Sequence, residues 1–242
     1  MTSAGTRYDG RIAVVTGGAS GIGAAVVDQL RQAGAEVIAA DISPGDSDAR
    51  RVDVSDAASV SSLAADIERE QGRCDLLVNC AGTTAVGTVI DCSEQDWDRV
   101  FAVNTRGVWL TCRNLLPLMP TGSAIVNVAS GAGLRPIPNM AAYVASKAAV
   151  VALSKAMALD HADRQIRVNC VCPGLVDTPL AAQTQLQRPA DAKRAVADFD
   201  GYLIKRMATA EEIASCVCYF GSPQARYITG AAVAVDGGRT LH

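Results

Sequence analysis

The stretch Arg11–Gly23, RIAVVTGGASGIG, decides the fold. Its first half, Arg11–Thr16, is a short apolar run rich in β-branched residues, so it reads as a strand covered on both faces. Its second half is glycine-rich, and the helix-period segment Gly21–Ala33 opens directly from it. Glycine has three uses at such a turn: one permits the tight bend, one lets backbone approach a pyrophosphate, and one lets the helix pack close to the strand. The helix start adds free N–H groups and the positive end of a dipole. Gly17, Ser20, Gly21, Ile22 and Gly23 are therefore expected to cradle the phosphates of a dinucleotide.

Outward from this unit the alternation of strand and helix continues. Glu36–Asp41, Asp75–Asn79, Ser123–Ala129, Ile166–Val171 and Ala231–Val235 read as further strands, with a weaker one near Arg50–Val54. Between them lie the helical segments Ala57–Gln71, Ser93–Leu116, Ala141–His161 and Ala210–Phe220. Strands that are apolar on both faces and alternate with helices imply right-handed crossovers and a doubly wound α/β (Rossmann) sheet. No repeat and no linker rich in Pro, Gly or Ser divides the chain, so residues 1–242 are expected to form one domain. Leu175–Met207 breaks the rhythm: it is polar, carries Pro179 and Pro189 and has no clear strand. It is read as an irregular insertion acting as a substrate lid.

Asp41 ends the second strand, 18 residues after Gly23. A carboxylate there can accept hydrogen bonds from both adenosine ribose hydroxyls and repels a 2′-phosphate, so it selects NAD over NADP. No Arg or Lys lies between Ala39 and Ser43 to offset that repulsion, and Ser20 holds the turn position where a basic residue could have done so. Ile42, next to Asp41, joins the expected cofactor contacts.

Tyr143 and Lys147 stand four apart on one helix and so share a face. Ser130 ends the strand Ser123–Ala129, at the carboxyl edge where ligands bind in open α/β sheets, 13 residues before Tyr143. Removing hydride from an alcohol carbon requires that the hydroxyl proton leave as well. A free phenol, with a pKa of about 10, is a poor base at neutral pH, and a neighbouring ammonium favours its ionised form. Tyr143 is read as the general acid/base, Lys147 as the ammonium that also reaches the cofactor ribose, and Ser130 as a donor to the substrate oxygen.

Thr16-Gly17-(x)3-Gly21-Ile22-Gly23, Asn79-Cys80-Ala81-Gly82, Asn104, Ser130, Tyr143-(x)3-Lys147 and Pro173-Gly174 resemble the short-chain dehydrogenase/reductase family, in order, from about residue 8 to residue 240. The resemblance implies a seven-stranded parallel sheet of order 3-2-1-4-5-6-7. It implies a fourth catalytic residue, Asn104, at a helix bend, linking Lys147 to solvent through a water. It also implies adenine contacts from Asp53 and Val54, ribose contacts from Asn79, Ala81 and Gly82, and nicotinamide contacts from Pro173, Val176 and Thr178. Cys80 stands where the family more often has a second asparagine; its backbone can do the same work.

Composition sets the remaining bounds. With 49% hydrophobic and 19% charged residues a sizeable core is expected, and the mild net charge of −3 argues against nucleic acid as a partner. No run of about 18 apolar residues suggests a membrane span, and Met1–Gly10 lacks a signal peptide's apolar stretch, so a cytoplasmic location is expected. The eight cysteines include no CxxC pair, and the only histidines are His161 and His242, so neither a metal site nor a disulfide framework is expected.

The leading expectation is an NAD-dependent oxidoreductase acting on a secondary alcohol or ketone. Two alternatives stand beside it: an NADPH-linked reductase of 3-oxoacyl thioesters, and a non-catalytic dinucleotide-binding regulator. Ala132, Leu134, Ile137, Asn139 and Met140 are expected on one wall of the substrate cleft, and Leu180 to Tyr202 on the other. Apolar residues on more than one face of Ser93–Leu116 and Ala141–His161, together with the resemblance, point to a homotetramer built as a dimer of dimers.

Overall fold

Seven parallel strands make one sheet in the order β3-β2-β1-β4-β5-β6-β7, the order implied by the resemblance. They are β1 (Ile12–Thr16), β2 (Glu36–Asp41), β3 (Arg50–Arg51), β4 (Leu76–Asn79), β5 (Ala124–Val128), β6 (Arg167–Pro173) and β7 (Ala232–Val235). The computed structural model describes residues 7–187, 199 and 201–241. Among these, the helices are α1 (Gly21–Gln32), α2 (Ala57–Gln71), α3 (Glu94–Phe101), α4 (Gly107–Leu115), α5 (Ala141–Asp160), α6 (Pro179–Gln187) and α7 (Ala210–Gly221).

Every residue of β1, β4, β5 and β6 is buried, which is why these strands lack polar alternation. The edge strand β7 is half-exposed. On one face Ile12, Val14, Leu77 and Ile125 pack with Leu63 and Ile67 of α2, Leu115 of α4 and Val150 of α5. On the other, Ala13, Val15 and Val126 pack with Val26 and Leu30 of α1 and Ile213 and Val217 of α7. Burying one such aliphatic side chain is worth about 1.5–3 kcal/mol, so both layers are needed to hold a sheet this apolar. Local signals set the helix ends. Asp56 caps α2 by accepting from Ala58 N, and Gly72 stops it with φ 68°. Thr209 and Glu212 form a capping box at the start of α7.

A buried polar ladder crosses the middle of the sheet. Asn79 Nδ2 of β4 donates to Asn127 Oδ1 of β5 at 2.9 Å, and Asn127 Nδ2 donates to Ser154 Oγ of α5 at 2.8 Å. Thr111 Oγ1 of α4 donates to Asn79 Oδ1 at 2.6 Å.

Three departures from the sequence reading have physical causes. The single helix expected over Ser93–Leu116 is helical throughout but has a π-turn at Ala102–Arg106 between α3 and α4, and it tightens to 3-10 geometry at Leu116–Leu118. The insertion expected to be irregular from Leu175 onward carries α6, which begins at Pro179, where a missing N–H costs nothing. Residues 188–198 and 200 of that insertion lie outside the described residues. Finally, α5 is long and apolar enough by length and composition to cross a membrane, which the sequence reading did not anticipate. It packs against the sheet instead, with Ser146, Lys147 and Ser154 among its buried residues.

Candidate active site

The strand order reverses between β1 and β4, and the carboxyl ends of the strands there open into a cleft of about 800 Å3. Its near wall is the glycine turn. Gly17 has φ 68°, and a Cβ on it would stand 2.8 Å from Ala81 Cα; a Cβ on Gly23 would stand 2.0 Å from the Gly17 carbonyl oxygen. These two positions tolerate only glycine, the first because it meets the β4 loop and the second because α1 starts against the turn. Thr16 Oγ1 accepts from Cys80 N and Ala81 N, tying that loop to β1. Ser20 is the N-cap of α1 but its side chain makes no cap hydrogen bond, so the first turn keeps free N–H groups facing the cleft. Such a cradle can hold a pyrophosphate.

Asp41 lines the cleft at the end of β2, its carboxylate accepting from Ala19 N at 3.1 Å and Ser43 N at 2.9 Å. Ile42, Asp53 and Val54 line the same end, and Asp53 Oδ1 accepts from Ser55 N and Ser55 Oγ. Ala81, Gly82, Pro173, Val176 and Thr178 also line the cleft. Cys80 lines it too, and burial pushes its thiol up to about 12, so it is an inert wall residue. Asn79 is the exception among the expected cofactor contacts. It is only 2% exposed and does not reach the cleft, because its amide is spent on the ladder with Asn127 and Thr111 beneath the floor.

Ser130, Tyr143 and Lys147 meet in the same cleft. Lys147 is 5% exposed; its Nζ donates to the Val128 carbonyl at 2.9 Å and lies 5.9 Å from the centroid of the Tyr143 ring. Ser130 Oγ accepts from Ala132 N at 3.1 Å, which fixes the hydroxyl at the strand end. A Cβ on Gly133 would come within 2.8 Å of the Lys147 backbone, so the loop after Ser130 rests directly on α5 and brings the three side chains together.

Asn104 sits in the π-turn, fully buried and outside the cleft lining. Its Oδ1 accepts from Thr83 N at 2.8 Å, and its Nδ2 donates to Thr83 O at 2.9 Å and Ser146 Oγ at 3.0 Å. A methyl on Gly82 would stand 3.5 Å from Asn104 Oδ1 and 3.6 Å from Lys147 Nζ, so the space over Gly82 adjoins both groups. The π-turn is the helix bend that the resemblance implies for Asn104.

On the substrate side Ala132, Ile137 and Met140 line the cleft as expected, facing Leu180, Ala181, Thr184, Gln185 and Tyr202. Leu134 and Asn139 do not. Leu134 is exposed, and Asn139 adopts a left-handed turn (φ 57°) whose carbonyl accepts from Gly87 N. Arg99 and Arg239 are cleft residues that the sequence reading missed. No periodicity marks them, since they arrive from α3 and from the turn after β7. Among the described residues no group of three His, Cys, Asp or Glu side chains could hold a metal ion.

Comparisons with known proteins agree over nearly the whole chain. A family model described as "Enoyl-(Acyl carrier protein) reductase" matches residues 17–240. A 3beta-hydroxysteroid dehydrogenase of Mediterraneibacter gnavus is 37% identical, covering 98% of this chain and 97% of its own length. Dehydrogenase/reductase SDR family member 6 of Aquarana catesbeiana is 37% identical, covering 97% and 99%. The ligand-free structure of Thermoplasma acidophilum aldohexose dehydrogenase superposes with a TM-score of 0.88 at 32% identity, covering 97% of this chain and 95% of the other. Matched from glycine turn to final strand in sequence and in backbone, the chain belongs to the short-chain dehydrogenase/reductase family.

Proposed function

We propose that this oxidoreductase moves hydride between NAD(H) and a secondary alcohol or ketone, with Tyr143 as general acid/base. The observation that carries the reading is the convergence of Ser130, Tyr143 and a buried Lys147 on one cleft with the glycine turn. The glycine cradle and the uncapped start of α1 fit a dinucleotide pyrophosphate, and Asp41 fits an unphosphorylated ribose. When bound, the nicotinamide supplies the hydride acceptor or donor.

This chain's residues handle the proton. Ser130 Oγ donates to the substrate oxygen and positions it, while Tyr143 Oη takes the hydroxyl proton in oxidation and returns it in reduction. Lys147 is oriented by the Val128 carbonyl, and its charge stabilises the ionised tyrosine. Asn104 holds the Thr83 segment beside Lys147, and the space over Gly82 connects the two groups for proton exchange with solvent. Asp41 weighs against an NADPH-linked thioester reductase, and the complete set of four weighs against a non-catalytic regulator.

The whole chain serves as one domain, and the segment from Leu175 to Met207 closes over substrate, with α6 among its described parts. The eight free thiols support a reducing, cytoplasmic setting. The exposed Trp109 and Leu159 on α4 and α5 support pairing of these helices between subunits of a homotetramer. Tyr143→Phe tests the core of the reading. It removes one oxygen, so folding and NAD binding should survive, whereas turnover should fall about 10²–10⁴-fold. Retention of more than about a tenth of wild-type kcat would remove Tyr143 from the chemistry.

A further inference from the structure

Charge is distributed unevenly along the cleft. The only carboxylates lining it among the described residues, Asp41 and Asp53, stand at the β2–β3 end. Across the sheet from them, Arg239 lines the cleft from the turn after the edge strand β7, and Arg99 lines it from α3. The guanidinium of Arg99 is already matched, since its Nη2 lies 2.6 Å from Asp96 Oδ1. That of Arg239 is not. It is half-buried, and its described contacts are two long hydrogen bonds to carbonyls, Nη1 to Arg135 O at 3.2 Å and Nη2 to Pro136 O at 3.4 Å.

Arg135 answers from the other side, donating from Nη1 to the Arg239 carbonyl at 2.8 Å. The loop after Ser130 and the turn after β7 are thus laced together by two guanidinium groups of the same sign. Neither is matched by a carboxylate among the described residues. Like charges held together at a cleft rim repel each other and are relieved by an anion. Neutral carbonyls use only part of the guanidinium's five donors, and the rest suit a carboxylate.

We infer that the substrate is a secondary alcohol or ketone that also carries a carboxylate, and that Arg239, backed by Arg135, is its specificity-determining anchor. The inference rests on the alcohol/ketone reading above and specifies its substrate class. The hydroxyl end of such a molecule meets Ser130 and Tyr143 while its carboxylate lies toward Arg239. The cleft thereby sorts hydroxy acids from neutral alcohols of the same length.

Binding separates this inference from the chemistry it depends on. Tyr143→Phe protein saturated with NAD is titrated calorimetrically with (ω−1)-hydroxy acids of increasing chain length and with their methyl esters. At least one acid should bind tenfold or more tightly than its ester, which corresponds to about 1.4 kcal/mol. Raising the salt should weaken the acid and spare the ester. Arg239→Gln should bring acid and ester within about threefold of each other, and Arg239→Lys should retain part of the preference, with melting temperatures verifying that both variants fold. In turnover by the unmutated enzyme the preference should appear in KM. Equal binding of acids and esters across the series, or a preference that survives Arg239→Gln, overturns the inference even if neutral alcohols are oxidised. Tight acid binding with no nicotinamide reduction by any alcohol would instead uphold the anion site and count against the alcohol/ketone reading.

Discussion

Replacing Asn104 with alanine strips three hydrogen bonds from a fully buried site: Thr83 N and Thr83 O lose their partner, and so does Ser146 Oγ. Ser146 keeps a second bond, to the Tyr143 carbonyl at 2.8 Å, so the cost falls mainly on Thr83. A stranded buried donor or acceptor costs about 1–3 kcal/mol. Thr83 borders the cleft and water can reach it, so the lower half of that range applies and the two groups together cost about 2–4 kcal/mol. For a chain of this size each kcal/mol moves the melting temperature by about 2–4 °C, which predicts a fall of roughly 5–15 °C.

Asn104→Asp sharpens the test. An aspartate keeps the shape but cannot donate to Thr83 O while ionised, so it should melt below wild type at neutral pH. Burial and the facing carbonyl raise its carboxyl pKa, against the pull of the Lys147 ammonium across the space over Gly82. Protonation restores a donor, so its stability should recover as pH falls from about 8 to about 5. Circular dichroism melts at one fixed protein concentration provide the readout, since assembly makes melting concentration-dependent. An aspartate variant as stable as wild type, or an alanine variant that melts within 1–2 °C of it (roughly a 0.5 kcal/mol loss), would refute the bonding described for this turn.

Three other outcomes follow from the proposed function. NAD should be preferred over NADP by at least tenfold in kcat/KM, since about 1.4 kcal/mol of repulsion from Asp41 suffices, and Asp41→Ala should erode that preference; equal use of both cofactors by the unmodified enzyme would contradict the role given to Asp41. Light scattering at micromolar concentration should report four times the 25.1 kDa chain mass, and a monomer alone would rule the tetramer out. Hydrogen exchange over residues 175–207 should slow when NAD is added, and an unchanged rate would leave that segment without a lid function.

The elements that the sequence revealed best are those where one local rule dominates. The strand β1, the turn after it and the helix α1 announce themselves because tight backbone approaches demand glycine at Gly17 and Gly23. The strands β4 to β6 are legible as apolar runs because both faces are covered. The convergence of Ser130 with Tyr143 and Lys147 follows from a strand end feeding a helix start. Features set by distant partners were not legible from the residues alone, and the bend at Asn104 was expected only through the resemblance. The π-turn at Asn104 is stabilised by Thr83, some 20 residues earlier, and leaves the helical period almost untouched. Asn79 reads the same whether its amide faces a ribose or the core, and Asn127 and Thr111 decide the matter. Arg99 and Arg239 reach the cleft from one helix face and from the turn after β7, and no local pattern marks either position.

The ladder of Asn79, Asn127, Ser154 and Thr111 bears on how the chain finds its fold. Strands β4 and β5 are 48 residues apart at the Asn79–Asn127 pair, and both read as short runs of interchangeable aliphatic residues. Greasy runs of that kind offer a searching chain several near-equal alignments. Side chains alternate with a period of two, so sliding β5 by a single residue turns Asn127 to the opposite face of the sheet and leaves the amides of both strands stranded in hydrocarbon. Sliding it by two keeps the face but carries Asn127 about 7 Å along the strand, beyond hydrogen-bond reach of Asn79. One alignment alone satisfies both amides together with the hydroxyls of α4 and α5. The central pair of strands thus carries an internal key, cut in polar atoms, that aliphatic packing could not supply, and it sets the alignment on which Ser130, three residues beyond Asn127, is delivered to the cleft.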